Sequence, residues 1–280
     1  MLDVQGLLLG WGKRASDRGG PAPASTRPDR ALEAALANDE VEIRFQPQIQ
    51  PGDGAVRGVE ALARWKGAGD AQALFARAEA AGLAERLSRT IQRKALKAAA
   101  AWTGRLADLH VSINLLPCDL DRSGFEDWFL EEMADAGIDP GRVTAEIVES
   151  ALLIDRPAVA ARLDRLRARG VTIAVDDFGT GYANLAYLTS LPLDAIKIDR
   201  AMVADLVGQK RDRIVVKAMI GMARELGLAV IVEGVESLGQ LELLSDWGCD
   251  LYQGFLGAGA LDEAELLRFV SASDGLSVAA

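Results

Sequence analysis

The sequence predicts an α/β fold in which eight strands close into a TIM-like (β/α)8 barrel, with one antiparallel strand near the start. Three observations predict it. The chain has 280 residues, half of them apolar, which suits one large packed domain. Apolar strand-like runs alternate with helical runs, a pattern typical of a parallel sheet. The first two strand-like runs are separated only by the turn sequence PGDGA at 51–55, which predicts an antiparallel hairpin.

The elements follow in order along the chain. Strands are predicted where runs rich in Val, Ile and aromatic residues are bounded by polar or Gly-containing turns, namely at 41–48, 56–65, 110–115, 143–149, 171–177, 195–199, 228–234 and 250–255. Helices are predicted where apolar residues recur with a helical period, namely at 84–103, 124–137, 157–169, 202–226, 237–247 and 262–271.

The domain organisation follows from composition. Residues 1–30 are predicted to be a flexible N-terminal segment, because 15–29 are rich in Ala, Pro, Gly and Ser. The alternative for its first fourteen residues is a short amphipathic helix that docks on a partner. Residues 31–272 form the predicted barrel domain, close to the roughly 250 residues typical of this fold, and 273–280 form a tail. No run approaches the about 20 apolar residues of a membrane span, and the start lacks the charge pattern of a signal peptide, so a cytoplasmic protein is expected.

Composition excludes several classes of function. The net charge of −10 disfavours binding to nucleic-acid polymers, which need a basic surface. His110 is the only histidine, which rules out a three-histidine or HExxH zinc site. Cys118 and Cys249 are too few for a disulfide framework and indicate a reducing compartment. Any bound metal therefore has mainly oxygen ligands, which favours Mg, Mn or Ca.

Polar residues interrupt nearly every predicted strand near its C-terminal end. A strand covered on both faces is normally a continuous apolar run, and in a barrel the C-terminal ends of the strands meet at one mouth. Five carboxylates around one lysine would repel one another, whereas two adjacent Mg or Mn ions would neutralise them. The alternative is a set of separate, solvated strand ends. The residues concerned are Glu60, Asn114, Glu146, Asp176, Asp177, Lys197, Glu233 and Gln253.

Short motifs at these positions resemble one known family. EALARW at 60–65 resembles the signature of the EAL family of cyclic di-GMP phosphodiesterases, and the resemblance covers about 31–256. DDFGTG followed by KID, EGVE and QGF at these spacings is highly specific. The motifs in order are FQPQI (45–49), EALARW (60–65), SINLLP (112–117), EIVES (146–150), DDFGTGYANLAYL (176–188), KID (197–199), EGVE (233–236) and CDLYQGF (249–255).

The resemblance implies hydrolysis of cyclic di-GMP to linear pGpG with two Mg or Mn ions, in a barrel that often forms a homodimer. It implies metal ligands at Glu60, Asn114, Glu146, Asp176, Asp177 and Glu233. Lys197 and Glu233 would be catalytic, and Arg64 and Gln253 would contact substrate. The residues that would support the loop after Asp177 are Glu149, Glu236, Gly179 and Gly181.

Two other functions stay open at this point. One is a non-catalytic cyclic di-GMP receptor that signals to a protein partner, and the other is an unrelated barrel enzyme, such as a lyase with a carboxylate–Mg site. The segments 66–79 and 255–263 depart from the family pattern, which puts the rim of the pocket in doubt. Neither departure touches a predicted metal ligand, so activity is expected.

Overall fold

The computed structural model describes residues 28–148, 156–180 and 186–277. Eight strands form one closed barrel in chain order. The strands are β1 Glu42–Ile49, β2 Val56–Arg64, β3 His110–Leu115, β4 Val143–Val148, β5 Thr172–Phe178, β6 Ala195–Ile198, β7 Ala229–Val232 and β8 Leu251–Tyr252. The helices are α1 Arg30–Ala37, α2 Ala71–Ala81, α3 Ala84–Ala101, α4 Pro117–Asp121, α5 Phe125–Ala136, α6 Arg156–Arg167, α7 Ala186–Ser190, α8 Arg200–Val203, α9 Lys210–Glu225, α10 Leu238–Trp247 and α11 Glu263–Ser277.

The predicted barrel and its one reversed strand are confirmed. Strand β1 pairs antiparallel with β2 on one side and with β8 on the other, while the pairs from β2 to β8 are all parallel. The hairpin turn is closed by a hydrogen bond from the Gln50 amide to the Ala55 carbonyl, 2.9 Å long. Gly54 takes a φ of 68° in this turn, a conformation that glycine adopts without strain.

The predicted helices differ from the structure in several places. The single helix predicted at 202–226 is two helices, α8 and α9, because the chain turns between them with bonds from the Gly208 and Gln209 amides to the Asp205 carbonyl. No helix at α1, α2, α4 or α7 was predicted from the sequence. Helix α2 begins after Asp70, whose carboxylate accepts from the Ala73 amide, and it ends at Gly82 with a φ of 71°.

The last helix, α11, runs to Ser277, beyond the predicted end at 271 and into the segment predicted as a tail. Residues before 28 lie outside the described residues, and the domain limits at 30 and 272 stay predictions. None of the helices in the described ranges is both long enough and apolar enough to cross a membrane.

The barrel wall separates an apolar outer layer from a polar interior. Alternate residues of a strand face opposite sides, so Ile196 and Ile198 pack against the surrounding helices while Lys197 between them faces inward, and all three are fully buried. Ile113 and Leu115 on β3 pack outward in the same way, with Asn114 between them. The apolar outer layer therefore holds the strand ends rigidly, and it leaves the inward positions free to carry polar groups.

Candidate active site

The predicted polar residues do meet at one end of the barrel. Successive strands place them around the mouth, so that neighbouring strands contribute neighbouring side chains. Asn114 and Glu146 are paired across β3 and β4, and Val148 is paired with Asp176 across β4 and β5. The side chains come from β2 (Glu60), β3 (Asn114), β4 (Glu146), β5 (Asp176 and Asp177) and β6 (Lys197), and from the residues just after β7 (Glu233) and β8 (Gln253).

The ammonium group of Lys197 lies at the centre of this cluster. Its Nζ is 2.7 Å from Glu233 Oε1 and 2.8 Å from Glu146 Oε2. It is also 3.1 Å from Asp176 Oδ1 and 3.3 Å from Glu60 Oε2. One positive charge therefore serves four carboxylates, and Lys197 has no exposure to solvent. Burial alone would lower its pKa, but the surrounding carboxylates outweigh this and hold the pKa of Lys197 well above its ordinary value.

Two side-chain amides organise the carboxylates. Asn114 Nδ2 donates to Glu60 Oε1 at 2.9 Å. Gln253 Nε2 donates to Glu60 Oε2 at 2.7 Å and to Glu233 Oε1 at 2.9 Å. Burial opposes ionisation of Glu60, but Lys197 and these donated hydrogen bonds overcome it, so the pKa of Glu60 lies below its ordinary value. Glu60 is thus the carboxylate whose charge the protein itself compensates best.

The other four acids are under-compensated. Burial, with repulsion from neighbouring carboxylates, raises the pKa of Glu146 and of Asp176. The same causes raise the pKa of Glu233 to about 8 and that of Asp177 to about 7. Lys197 lowers each of these values without cancelling the effect. The site therefore carries more negative charge than the polypeptide neutralises, which is the electrostatic condition for binding cations.

The donor atoms fit divalent cations. One carboxylate oxygen from each of Glu60, Glu146 and Asp176 lies within 4.8 Å of the others, and the same holds for Asp176, Asp177 and Glu233. Asp176 belongs to both groups, so two adjacent ions would share it. Carboxylate and amide oxygens are the ligands that Mg²⁺ and Mn²⁺ take in proteins. The residues present therefore suit an all-oxygen site for two hard cations.

Asp177 has an unusual backbone at the end of β5. Its φ is 57°, in the left-handed region that side chains other than Asn and Asp seldom occupy. Its carbonyl accepts from Thr180 Oγ1 at 3.0 Å, which closes the turn that follows. The conformation lets two consecutive acids both reach the mouth, although successive residues of a strand normally face opposite sides.

Gly254 allows the Gln253 segment to pass close to the segment after β7. A Cβ added at Gly254 would lie 2.3 Å from the Val235 carbonyl oxygen, so no other residue fits without displacing the backbone. The Gln253 carbonyl accepts from the Val235 amide at 3.1 Å. This close approach holds Gln253 and Glu233 at hydrogen-bonding distance.

The structure places the remaining predicted residues differently from one another. Arg64 ends β2 on the same face as Glu60, is half-buried, and donates to the Ala63 carbonyl at 2.8 Å. Gly179 has a φ of 101° in the turn after β5, where a Cβ would meet Met219. Glu236 is exposed and is not part of the carboxylate cluster, although its sequence motif predicts a supporting role. Glu149 and Gly181 lie outside the described residues.

Comparison with known proteins identifies the family. Residues 29–260 match the EAL domain. The chain belongs to the EAL domain family. The closed barrel with an antiparallel first strand is accordingly the EAL fold, and the acidic mouth lies on the strands that carry the EAL motifs.

Individual relatives agree with this assignment. The cyclic di-GMP phosphodiesterase NbdA of Pseudomonas aeruginosa is 36% identical over 251 residues, which is 87% of this chain and 32% of that protein. The PaMucR phosphodiesterase in complex with c-di-GMP superposes with a TM-score of 0.79 at 32% identity, covering 85% of this chain and 98% of the other. Klebsiella pneumoniae BlrP1, in a manganese and cyclic di-GMP complex, gives a TM-score of 0.73 at 30% identity, covering 79% and 56%. The chain spans about a third of the length of the first curated relatives it matches.

Sequence reasoning missed one buried side chain of the EAL site. Gln48 on β1 is 3% exposed, and its Nε2 lies 3.2 Å from Ser112 Oγ and 3.4 Å from Gln253 Oε1. Because Gln48 donates to the oxygen of the Gln253 amide, the Gln253 nitrogen is directed toward Glu60 and Glu233. The signal was available in the sequence, since Gln46 and Gln48 both interrupt the first strand at inward positions.

Replacing Asp177 by asparagine is expected to stabilise the cation-free EAL barrel at pH 8. Asparagine tolerates the positive φ and removes one uncompensated charge, so the free energy of unfolding rises by about 2 kcal/mol. Since the pKa of Asp177 is raised in the folded state, ionisation destabilises the fold. The gain is therefore full above pH 7 and falls to nothing as the pH drops toward about 4.

Thermal unfolding in EDTA measures this effect. Asp39→Asn is the matched control, because Asp39 also has a positive φ, of 62°, but its side chain is exposed and pairs with Lys94. We expect no gain for Asp39→Asn. A lower melting temperature for Asp177→Asn than for the wild type at pH 8 contradicts the prediction.

Proposed function

We propose that this EAL domain hydrolyses cyclic di-GMP to linear pGpG, with two Mg²⁺ or Mn²⁺ ions at the barrel mouth. The observation that carries the proposal is the cluster of five carboxylates and one asparagine amide around a single fully buried lysine. The phosphodiesterases among the relatives, and the structures of related EAL domains with c-di-GMP and manganese, support the same substrate and cofactor.

The side chains that would hold the cations are those of the two oxygen groups. Glu60 and Glu146 belong to one group, Asp177 and Glu233 belong to the other, and Asp176 is common to both. Asn114, whose amide nitrogen donates to Glu60, would add a neutral oxygen ligand. Bound divalent cations supply Lewis acidity at the phosphoryl oxygens and increase the acidity of water, which gives a nucleophile without histidine. This suits a chain whose one histidine, His110, begins β3 at the opposite end of that strand from Leu115.

Lys197 and Glu233 are the candidate proton-handling and charge-stabilising groups. Lys197 Nζ holds four carboxylates together and places a positive charge beside any phosphoryl group that enters the cluster. Glu233 is 2.7 Å from that ammonium and is partly exposed, so it is accessible to solvent protons. Gln253 orients Glu233 and Glu60 through its amide nitrogen.

The reaction adds one water molecule across one phosphodiester bond of the ring. The water oxygen bonds to phosphorus, the P–O3′ bond breaks, and the leaving O3′ takes up a proton to become a hydroxyl group. The other phosphodiester stays intact, so the product is linear pGpG with a 5′-phosphate. Arg64, whose guanidinium forms no ion pair with any described residue, is the candidate group for gripping a substrate phosphate.

Replacing Arg64 by methionine is expected to raise KM by about 10- to 100-fold with little change in kcat. A charge-assisted bond to a phosphate stabilises binding by about 1.5–3 kcal/mol, and a phosphate held equally in the ground and transition states affects KM alone. Steady-state kinetics with cyclic di-GMP measures the two constants separately.

Arg57→Met is the matched control for Arg64. Arg57 lies on the same strand at its other end, and its guanidinium bonds Gln50 and Asp53 on the hairpin. We expect wild-type kinetics for this variant. Equal KM values for wild type and Arg64→Met would remove Arg64 from the substrate site.

The function itself is tested by incubating the purified chain with cyclic di-GMP and Mn²⁺ or Mg²⁺ and separating the nucleotides. Appearance of pGpG supports the proposal. Binding of cyclic di-GMP without pGpG would instead support the receptor function, and no binding would refute both. The homodimer, the cytoplasmic location and the lack of affinity for nucleic-acid polymers stay predictions from the sequence.

A further inference from the structure

A second buried polar cluster lies outside the barrel, behind β3. It consists of Ser88 and Gln92 on α3 and Asp119 on α4, which are 2%, 0% and 0% exposed. Asp119 Oδ2 accepts three hydrogen bonds, from Ser88 Oγ at 2.6 Å, from Gln92 Nε2 at 3.0 Å and from the Leu116 amide at 3.0 Å. The proposed chemistry uses none of these three side chains. Yet a fully buried carboxylate is expensive to keep in a fold, so its contacts need a reason.

The contacts lead to the backbone that carries Asn114. Gln92 Nε2 also donates to the Asn114 carbonyl at 3.4 Å, and the Leu116 amide bonds Asp119. The cluster therefore hydrogen-bonds the backbone on both sides of Leu115, at the Asn114 carbonyl and at the Leu116 amide. This is the point at which β3 ends, since its last partner in the sheet is Leu115 opposite Ile147. After Leu115 the chain has no further partner strand among the described residues, and the contacts with Asp119 and with Gln92 on α3 hold it instead.

The Asn114 side chain projects into the mouth from the backbone that these contacts hold. Asn114 Nδ2 donates to Glu60 Oε1 at 2.9 Å, so its amide already lies in the mouth. A backbone rotation at Leu115 would move this amide away from Glu60. Side chains that do not touch a metal but orient one of its ligands commonly matter for binding, and their removal weakens metal affinity by about 10- to 100-fold.

We propose that Asp119 is a positioning residue, which fixes the backbone around Leu115 and thereby sets the affinity of the mouth for divalent cations through Asn114. The inference rests on the proposed function, because it takes Asn114 to be a cation ligand. A merely structural role for Asp119, such as capping α4, would alter stability and leave cation affinity unchanged.

The test is isothermal titration of Mn²⁺ into the purified full chain, without substrate. Asp119→Leu removes the acceptor, and we expect its Mn²⁺ affinity to fall by about 10-fold or more. Asp119→Asn keeps an acceptor oxygen at the same place, and we expect affinity within about twofold of wild type. Its amide nitrogen would take the Oδ1 position, which accepts no hydrogen bond in the described chain but lies 3.8 Å from Arg122 Nη1. The change therefore loses one long ion pair and keeps the three hydrogen bonds to the other oxygen.

Glu126→Leu is the matched control. Glu126 is likewise a buried acid, 6% exposed, on the neighbouring helix α5, and Arg162 and Arg165 pair with it. We expect this variant to lose stability and keep its Mn²⁺ affinity. If Asp119→Leu does not fold, Gln92→Met removes the Asn114 tether with a side chain of similar length, and it is expected to weaken Mn²⁺ binding.

The outcomes are distinguishable. Wild-type Mn²⁺ affinity in folded Asp119→Leu or Gln92→Met overturns the positioning role and leaves the proposed function intact. An equal loss of affinity in Asp119→Leu and Glu126→Leu also overturns it, because the effect would then be general destabilisation. A wild-type chain that binds no Mn²⁺ overturns the proposed function together with the inference.

Discussion

Replacing Lys197 by methionine is expected to lower the free energy of unfolding of the cation-free protein by about 3–5 kcal/mol, because it leaves buried carboxylates without their counter-charge. Four carboxylates lie within 3.3 Å of Nζ, and no other Lys or Arg of the described chain forms an ion pair with them. Mn²⁺ is expected to restore much of the stability, since cations supply the missing charge. Turnover of cyclic di-GMP is expected to stay lower by roughly 10³-fold.

Chemical denaturation with and without Mn²⁺, together with a turnover assay, checks these expectations. Lys94→Met is the matched control, because Lys94 Nζ also makes short contacts, to the Val41 carbonyl and Asp39, but outside the barrel. This control is expected to lose about 1 kcal/mol and to keep full activity. A Lys197→Met protein as stable in EDTA as wild type would show that the carboxylates do not repel as inferred.

Glu60→Ala is expected to reduce turnover by roughly 10³-fold or more while the chain stays folded, because a lost ligand removes several kcal/mol of charge stabilisation by the cation. Glu60 is the carboxylate that Asn114, Gln253 and Lys197 all contact. Its removal therefore takes away a contact from each of these three side chains and one oxygen ligand from a cation site. Since the pKa of Glu60 lies below its ordinary value in the fold, its charge stabilises the folded state, and the melting temperature in EDTA is expected to fall modestly.

Turnover and Mn²⁺ titration of the same variant separate these effects. Glu132→Ala is the control, since Glu132 is an ion-paired carboxylate that bonds Arg93 on the outer helices. We expect full activity from the control. Full activity in Glu60→Ala would refute its assignment as a cation ligand.

The barrel was predictable because its determinants are local. Strand-like runs, helical periods and the PGDGA turn each follow from short-range preferences. The polar residues at the strand ends were predictable for a different reason, because parallel strands in a barrel bring all their C-terminal ends to one mouth. Lys197 and Glu146, both fully buried, show that a charge inside an apolar strand marks an inward position.

Other features depend on contacts that the sequence does not reveal. Alternation along β5 would place the side chains of Asp176 and Asp177 on opposite faces of the sheet. The φ of 57° at Asp177 breaks this alternation, so the Asp177 side chain also reaches the mouth. Helix α2 was missed because its apolar pattern is weak, although Asp70 and Gly82 mark its ends. Glu236 is exposed, since the chain turns into α10 directly after it, and its predicted support of the loop after Asp177 stays a prediction.

The two groups of buried amides needed the three-dimensional structure. Gln48 contacts Gln253 from a position 205 residues away. Gln92 reaches the Asn114 carbonyl from a helix that precedes β3. No sequence motif marks either pair, because the two partners meet only when the barrel closes and the helices pack around it.

The acidic mouth is proposed to be a cation-dependent hydrolytic site for cyclic di-GMP. The most direct measurement is the rate of pGpG formation by chelator-treated protein as Mn²⁺ is added back. We expect no pGpG in EDTA and a rate that rises with Mn²⁺ until the site is saturated. Intact cyclic di-GMP at saturating Mn²⁺, or an undiminished rate in EDTA, would contradict the claim.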